Sequence, residues 1–161
     1  MKHTISALVE NKPGVLARCA SLFARRGFNL DSLAVSETEN VEVSRMTLTV
    51  TGDDRILGQI CRQLEKLVDV IKVLDHTQDL TIERELCLIK VKANRKTRAE
   101  ILQVANIFRG EVVDVGHGTI CIELTGDTDK IDAFVRLMSE YGIDELVRTG
   151  KVVLVRGMQP T

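Results

Sequence analysis

Aromatic side chains are scarce. Four Phe and one Tyr supply 3% of the 161 residues, and there is no Trp. The core must therefore be filled by Val, Ile, Leu and Ala, and the stacking platforms that hold single-stranded nucleic acid are not expected. An excess of positive charge is also missing. The chain carries 22 Lys and Arg against 23 Asp and Glu, a net charge of −1. Split after residue 76, the counts are 10 and 10 in front and 12 and 13 behind. Neither half has the electrostatic footprint of a phosphate-backbone binder, so no nucleic-acid partner is expected. No apolar run approaches the roughly 20 residues that span a bilayer, and Met1-Lys2-His3-Thr4 leads straight into an alternating pattern with no signal-peptide core. Neither a membrane nor export is expected. The four cysteines, at 19, 61, 87 and 121, are too far apart for a zinc site or a short-range disulfide framework. Each lies in an apolar periodic segment, which suits buried thiols in a reducing cytoplasm.

Catalytic constellations are absent as well. There is no GxSxG elbow, no CxxC and no GxxxxGK[ST] loop. His3, His76 and His117 are isolated, and His3 and His117 are expected at the surface. A small ferredoxin-like enzyme is disfavoured for want of any base–nucleophile pair or metal set. The one dense basic stretch is Lys90, Lys92, Arg95, Lys96 and Arg98. It could dock an acidic surface or a nucleotide, but a solvated strand end is the simpler reading.

What is present is one order of elements, used twice. Residues 4–10 alternate, with Ile5, Ala7 and Val9 on one face, and predict a strand. After the turn Asn11-Lys12-Pro13-Gly14, the spacing of Val15, Leu16, Cys19, Leu22 and Phe23 predicts a helix that Gly27 can end. Strands follow over about 29–36 and 42–51. Asp53 and Asp54 favour a helix start, and the stripe Leu57, Ile60, Cys61, Leu64, Leu67 and Val68 predicts the second helix. A strand over 69–75 completes βαββαβ, the ferredoxin-like arrangement with both helices on one sheet face. The second half repeats the order. A strand covers Leu86 to Val91. Thr97 is placed to cap a helix, with Glu100 at the capping-box position. A hairpin turns at Gly116-His117-Gly118, a helix starts at Asp127, and a strand region covers about 145–156. The fold class expected is therefore α+β, with two ferredoxin-like βαββαβ domains over 1–76 and 77–161 and a linker over 76–81.

The segment Glu10 to Leu16 carries a chemical signal. Backbone N–H groups at a helix start are unpaired and carry partial positive charge, which suits a carboxylate. Gly14 allows close approach, and the amide oxygen of Asn11 can accept from an ammonium group. Together they could hold both ends of a zwitterionic amino acid, with Val15 and Leu16 facing its side chain. An ordinary Pro-Gly turn would look the same.

The phrase NKPGVLARCASLFARRGFNLDSLAV, from Asn11 to Val35, resembles the ACT regulatory domain. With SRMT at 44–47, QLEKLVDVIKV at 63–73, EREL at 83–86, FRGEVVDV at 108–115, TGDTDKIDAF at 125–134 and RTGKVVLVRG at 148–157, it resembles the small regulatory subunit of acetolactate synthase. That resemblance makes the first domain an ACT domain, and the second the C-terminal domain of the small subunit. It implies side-by-side pairing of ACT domains into a homodimer, with a branched-chain amino acid, typically valine, bound between protomers. The residues it assigns are Asn11, Gly14, Val15 and Leu16 of one protomer, with Asn29 and Leu30 from the other. It implies a catalytic large subunit as partner, holding thiamine diphosphate, magnesium and FAD, with no catalytic residue, metal or cofactor in this chain. An ACT-type sensor attached to a different enzyme is the alternative. A transcription factor would need a helix-turn-helix or a basic face.

Overall fold

A computed structural model describes all residues, 1–161. The chain forms two compact units: Met1–Ile82 together with Val152–Thr161, and Glu83–Lys151. The break expected at 76/77 is thus displaced, and the last ten residues return to the first unit. Hydrogen bonds explain the return. Arg156 N–H donates to the Leu80 carbonyl at 2.8 Å, and Arg45 Nη1 to the Thr161 carbonyl at 3.0 Å.

In the first unit the order is β1 (Lys2–Glu10), α1 (Val15–Arg26), β2 (Ser32–Glu37), β3 (Val43–Thr51), α2 (Asp54–Leu64) and β4 (Val70–Asp75). The strands form an antiparallel sheet ordered β2-β3-β1-β4. This is the ferredoxin-like arrangement expected. Ile5 pairs with Leu48 and Ala7 with Met46, so alternation puts these residues on one face. There they pack with Val15, Cys19 and Phe23 of α1 and Leu57, Ile60 and Leu64 of α2. At roughly 1.5–3 kcal/mol for each large apolar side chain fully removed from water, this packing is the main stabilising term.

His3 falls on the same face by parity. It is fully buried, against the surface position expected, because its ring has two partners: Thr77 Oγ1 at 3.2 Å and the Gly52 carbonyl at 3.1 Å. The opposite sheet face carries Thr4, Ser6, Thr47 and Thr49, all buried. Thr47 borders a groove of about 390 Å³ shared with Val152, Val153 and Leu154. The returning tail thus lies along the face that has no helix.

The second unit repeats the pattern: β5 (Thr81–Lys92), α3 (Arg98–Ile107), β6 (Glu111–Val115), β7 (Thr119–Gly126), α4 (Thr128–Ser139) and β8 (Ile143–Arg148). Its strands are ordered β6-β7-β5-β8. Its core joins Cys87, Ile89 and Val91 to Ile120, Ile122, Leu124, Ile101, Ile131 and Phe134. Glu85 is buried and takes Arg148 on both oxygens, at 2.7 and 2.8 Å, while Arg148 Nη1 reaches Asp132 at 2.6 Å.

Several element ends depart from expectation. The second helix stops at Leu64, so Leu67 and Val68 lie beyond it and Val68 is 92% exposed. The closing strand is two strands, β8 and β9 (Val152–Val155), separated by Gly150 with φ 77°. β9 pairs with β5 off the main order. Thr97 does not cap α3 through its side chain. Asn94 Oδ1 does that work, accepting from Lys96 N–H at 2.8 Å and Thr97 N–H at 3.0 Å. All four cysteines are free thiols, but only Cys19 and Cys87 are fully buried; Cys61 and Cys121 are half-buried. No helix is long and apolar enough to cross a membrane.

Candidate functional site

The turn between β1 and α1 is built on one backbone irregularity. Gly14 is the residue before α1 and has φ 86° and ψ −11°, in the left-handed region that only glycine enters freely. A Cβ there would stand 3.1 Å from Arg18 Nη1. The first bond of the helix ladder is Arg18 N–H to the Gly14 carbonyl, at 3.0 Å. The N–H groups of Leu16 and Ala17 come before that ladder and belong to the unpaired donors of a helix start. No acidic residue occupies the first turn to neutralise them.

Asn11 flanks the turn. Its backbone N–H donates to the Glu42 carbonyl at 2.8 Å. Its amide nitrogen donates to the Val41 carbonyl at 2.7 Å and reaches Glu37 Oε1 at 3.4 Å. With the nitrogen so engaged, the amide oxygen is the side left to accept a proton. Two cations also border the turn, and each has its own carboxylate. Lys12 Nζ meets Glu10 at 2.9 Å, and that hydrogen bond raises the ammonium pKa above its ordinary value. Arg18 Nε meets Asp69 at 2.6 Å. Arg18 and Asp69 are absent from the sequence-based set. The spacing could have pointed to Arg18, which lies four residues after Gly14 and so over the same helix turn.

The structure separates the assigned residues into three kinds. Asn11, Gly14 and Leu16 are exposed around the turn, Leu16 at 47%. Val15 is 3% exposed and packs in the first core. It contributes its backbone to the turn; the expectation that its side chain faces a ligand is corrected. Asn29 and Leu30 lie just before β2, not within a strand starting at 29. They are at the other end of α1 from Gly14. A helix of 12 residues is about 18 Å long at roughly 1.5 Å per residue, so one copy of the chain does not bring the two groups together.

The basic stretch also divides. Lys90 Nζ pairs with Glu145 at 2.5 Å and Lys92 with Asp144 at 3.6 Å, whereas Arg95 and Arg98 stand with His117 around a separate depression. No three His, Cys, Asp or Glu side chains are grouped as a metal site would require.

Two family models match the chain in tandem. Residues 5–72 match the acetohydroxyacid synthase (AHAS) small-subunit-like ACT domain, and residues 84–157 match the small subunit of acetolactate synthase. A probable acetolactate synthase small subunit from Archaeoglobus fulgidus is 57% identical over 98% of both chains. The acetolactate synthase small subunit of Mycolicibacterium smegmatis is 50% identical over 96% of this chain and 91% of its own length. The crystal structure of the acetolactate synthase small subunit from Thermotoga maritima superposes with a TM-score of 0.89, at 42% identity and 99% coverage of both chains. With both halves matched in order and relatives covered nearly end to end, this chain belongs to the acetolactate synthase small-subunit family.

Proposed function

We propose that this chain is a regulatory subunit in branched-chain amino acid biosynthesis. It joins a catalytic acetolactate synthase large subunit in the cytoplasm, supports that subunit's activity, and confers feedback inhibition by valine. The thiamine diphosphate, magnesium and FAD are assigned to the large subunit, as are all the reacting groups. The observation that carries the effector part of this reading is the Gly14 turn. A left-handed glycine opens two helix N–H groups to solvent beside an Asn whose amide oxygen is available. Such a site can take a carboxylate on the N–H groups and an ammonium on Asn11.

The second half of the site, Asn29 and Leu30, is proposed to come from another copy. β2 ends the first sheet and has one hydrogen-bonding edge unpaired within the chain. Two such edges placed together would continue the sheet and carry Asn29 of one copy toward the Gly14 turn of the other. Valine bound there favours one arrangement of the dimer, and the large subunit responds to that arrangement. The response is limited by the difference in valine affinity between the two states. At roughly 0.7–0.9 kcal/mol per heavy atom, valine is expected to bind with a dissociation constant on the order of 10–50 μM.

The test is reconstitution. Mixing the purified chain with an acetolactate synthase large subunit should raise its activity, and valine should then lower it. Gly14→Glu places a carboxylate over the N–H groups, so the variant should still activate and should no longer respond to valine. Failure to activate would remove the regulatory-subunit reading. A folded Gly14→Glu protein with an unchanged valine response would move the effector elsewhere.

A further inference from the structure

The second unit contains an unassigned depression of about 570 Å³, lined by Arg95, Arg98, Val115, Gly116 and His117. Two guanidinium groups and an imidazole converge on it, and no carboxylate lines it. The neighbouring cations of the same basic run differ: Lys90 has Glu145 and Lys92 has Asp144. Lys151 has Glu83 and Arg148 has Glu85 and Asp132. Arg98 is fixed by neutral groups instead. Its Nη2 donates to the Gly116 carbonyl at 2.9 Å and the His117 carbonyl at 3.3 Å, which ties the first residue of α3 to the β6–β7 turn. Its Nε is shielded from solvent and has no acceptor in the chain. The guanidinium is thus held in one orientation with its charge uncompensated. Arg95 and His117, both exposed, complete the wall.

We propose that this depression binds a phosphoryl group, as free phosphate or as the phosphate of a small metabolite. Carbonyls that orient Arg98 spend none of its charge, so an oxyanion supplies what the protein leaves out. With Nη2 held by the two carbonyls and Nε shielded, Nη1 is the Arg98 donor left to make charge-assisted hydrogen bonds to an oxyanion. A second guanidinium and an imidazole allow three-sided contact, more than a single carboxylate needs. The site lies wholly in the second unit and does not rest on the effector reading of the Gly14 turn.

The experiment titrates the full-length chain with inorganic phosphate, pyrophosphate and acetate at constant ionic strength, read by amide NMR shifts. Phosphate should saturate with a dissociation constant on the order of 1 mM, as expected for so small a ligand, with shifts confined to residues 95–98 and 115–117. Pyrophosphate should bind more tightly and acetate at least tenfold more weakly. Arg95→Glu, at an exposed position with no partner, should weaken phosphate about tenfold or more, since it replaces an attractive charge by a repulsive one. Lys90→Gln, in the same basic run but outside the depression, should leave binding unchanged. If Arg98→Ala unfolds, Arg98→Lys retains the charge and reports the loss of the guanidinium held by the Gly116 and His117 carbonyls. The proposal is overturned by an unsaturable response, by shifts spread along the basic run, by acetate binding as well as phosphate, or by equal losses in Arg95→Glu and Lys90→Gln.

Discussion

At the scale of single residues, Gly14 is constrained by its backbone more than by its surroundings. Its φ of 86° penalises any side chain, while the nearest atom to a Cβ is the mobile end of Arg18. Gly14→Ala is therefore expected to lower unfolding free energy by about 1 kcal/mol, with the Arg18–Asp69 pair displaced rather than lost. Urea denaturation gives that number, and a cost near zero would mean that the turn relaxes out of the left-handed region. Cys61 is a second case. Burial, aided by the nearby Asp75 and Glu65 charges, raises its thiol pKa to about 11 from 9.0. Below pH 9 the thiol is protonated in folded and unfolded chains alike, and its contribution is intact. Between pH 9 and about 11 the unfolded chain ionises first, so this contribution to stability is lost as pH rises. At pH 8, iodoacetamide should label native Cys61 far more slowly than in urea, and comparable rates would contradict the shift. His3 shows how far residue type misleads. As a lone His near a chain start it reads as a surface residue, yet it lies two residues before Ile5 and so shares the buried face. The alternation was legible; the two hydrogen bonds that make burial tolerable join residues 49 and 74 positions away, and no local pattern carries them.

At the scale of elements, periodicity told most of the story where a helix or strand had one buried side. The faces of β1, β3, α1 and α4 follow from it. Ends were harder to read, because they are decided by individual hydrogen bonds. Thr97 and Glu100 match a capping box, but Asn94, three residues earlier, closes the turn with its own side chain. Asn94→Ala should destabilise the second unit by about 1–2 kcal/mol, and Thr97→Ala by less, since its hydroxyl accepts from Asn94 N–H and donates to Asn94 Oδ1 at 3.3 Å but reaches no N–H of α3. Equal costs in thermal melts would return the capping role to Thr97. Leu67 and Val68 continue the apolar spacing of α2 past its end because Leu67 N–H turns back to the Leu64 carbonyl, and the chain then leaves toward β4. The candidate site was legible in the same partial way. The turn and its glycine stood out in sequence; the burial of Val15 and the Arg18–Asp69 pair did not, the latter spanning 51 positions.

At the scale of the whole molecule, the first unit has an unpaired sheet edge at β2, and Leu33 and Val35 on that strand are 36% and 44% exposed. Association through this edge predicts a dimer in sedimentation at micromolar concentration. A monomer with and without valine would leave the two halves of the effector site unjoined. The second unit has an edge too, β6, whose five residues are all exposed. Short length and two acidic residues, Glu111 and Asp114, guard it against indiscriminate pairing.

The return of Val152–Thr161 to the first unit has a consequence for synthesis. The ribosome makes residues 1–82 of the first unit before Glu83–Lys151, but Val152–Thr161 of the same unit only after it. At roughly 5–20 residues per second, the final ten residues arrive about a second after the second unit is complete in sequence. Until then the groove beside Thr47 lacks its Val152–Leu154 wall. A purified chain ending at Lys151 should therefore show a protease-resistant second unit and a first unit that is cut more readily than in the chain that has the tail. Equal resistance of both units in the shortened chain would mean that the sheet holds its form without the tail.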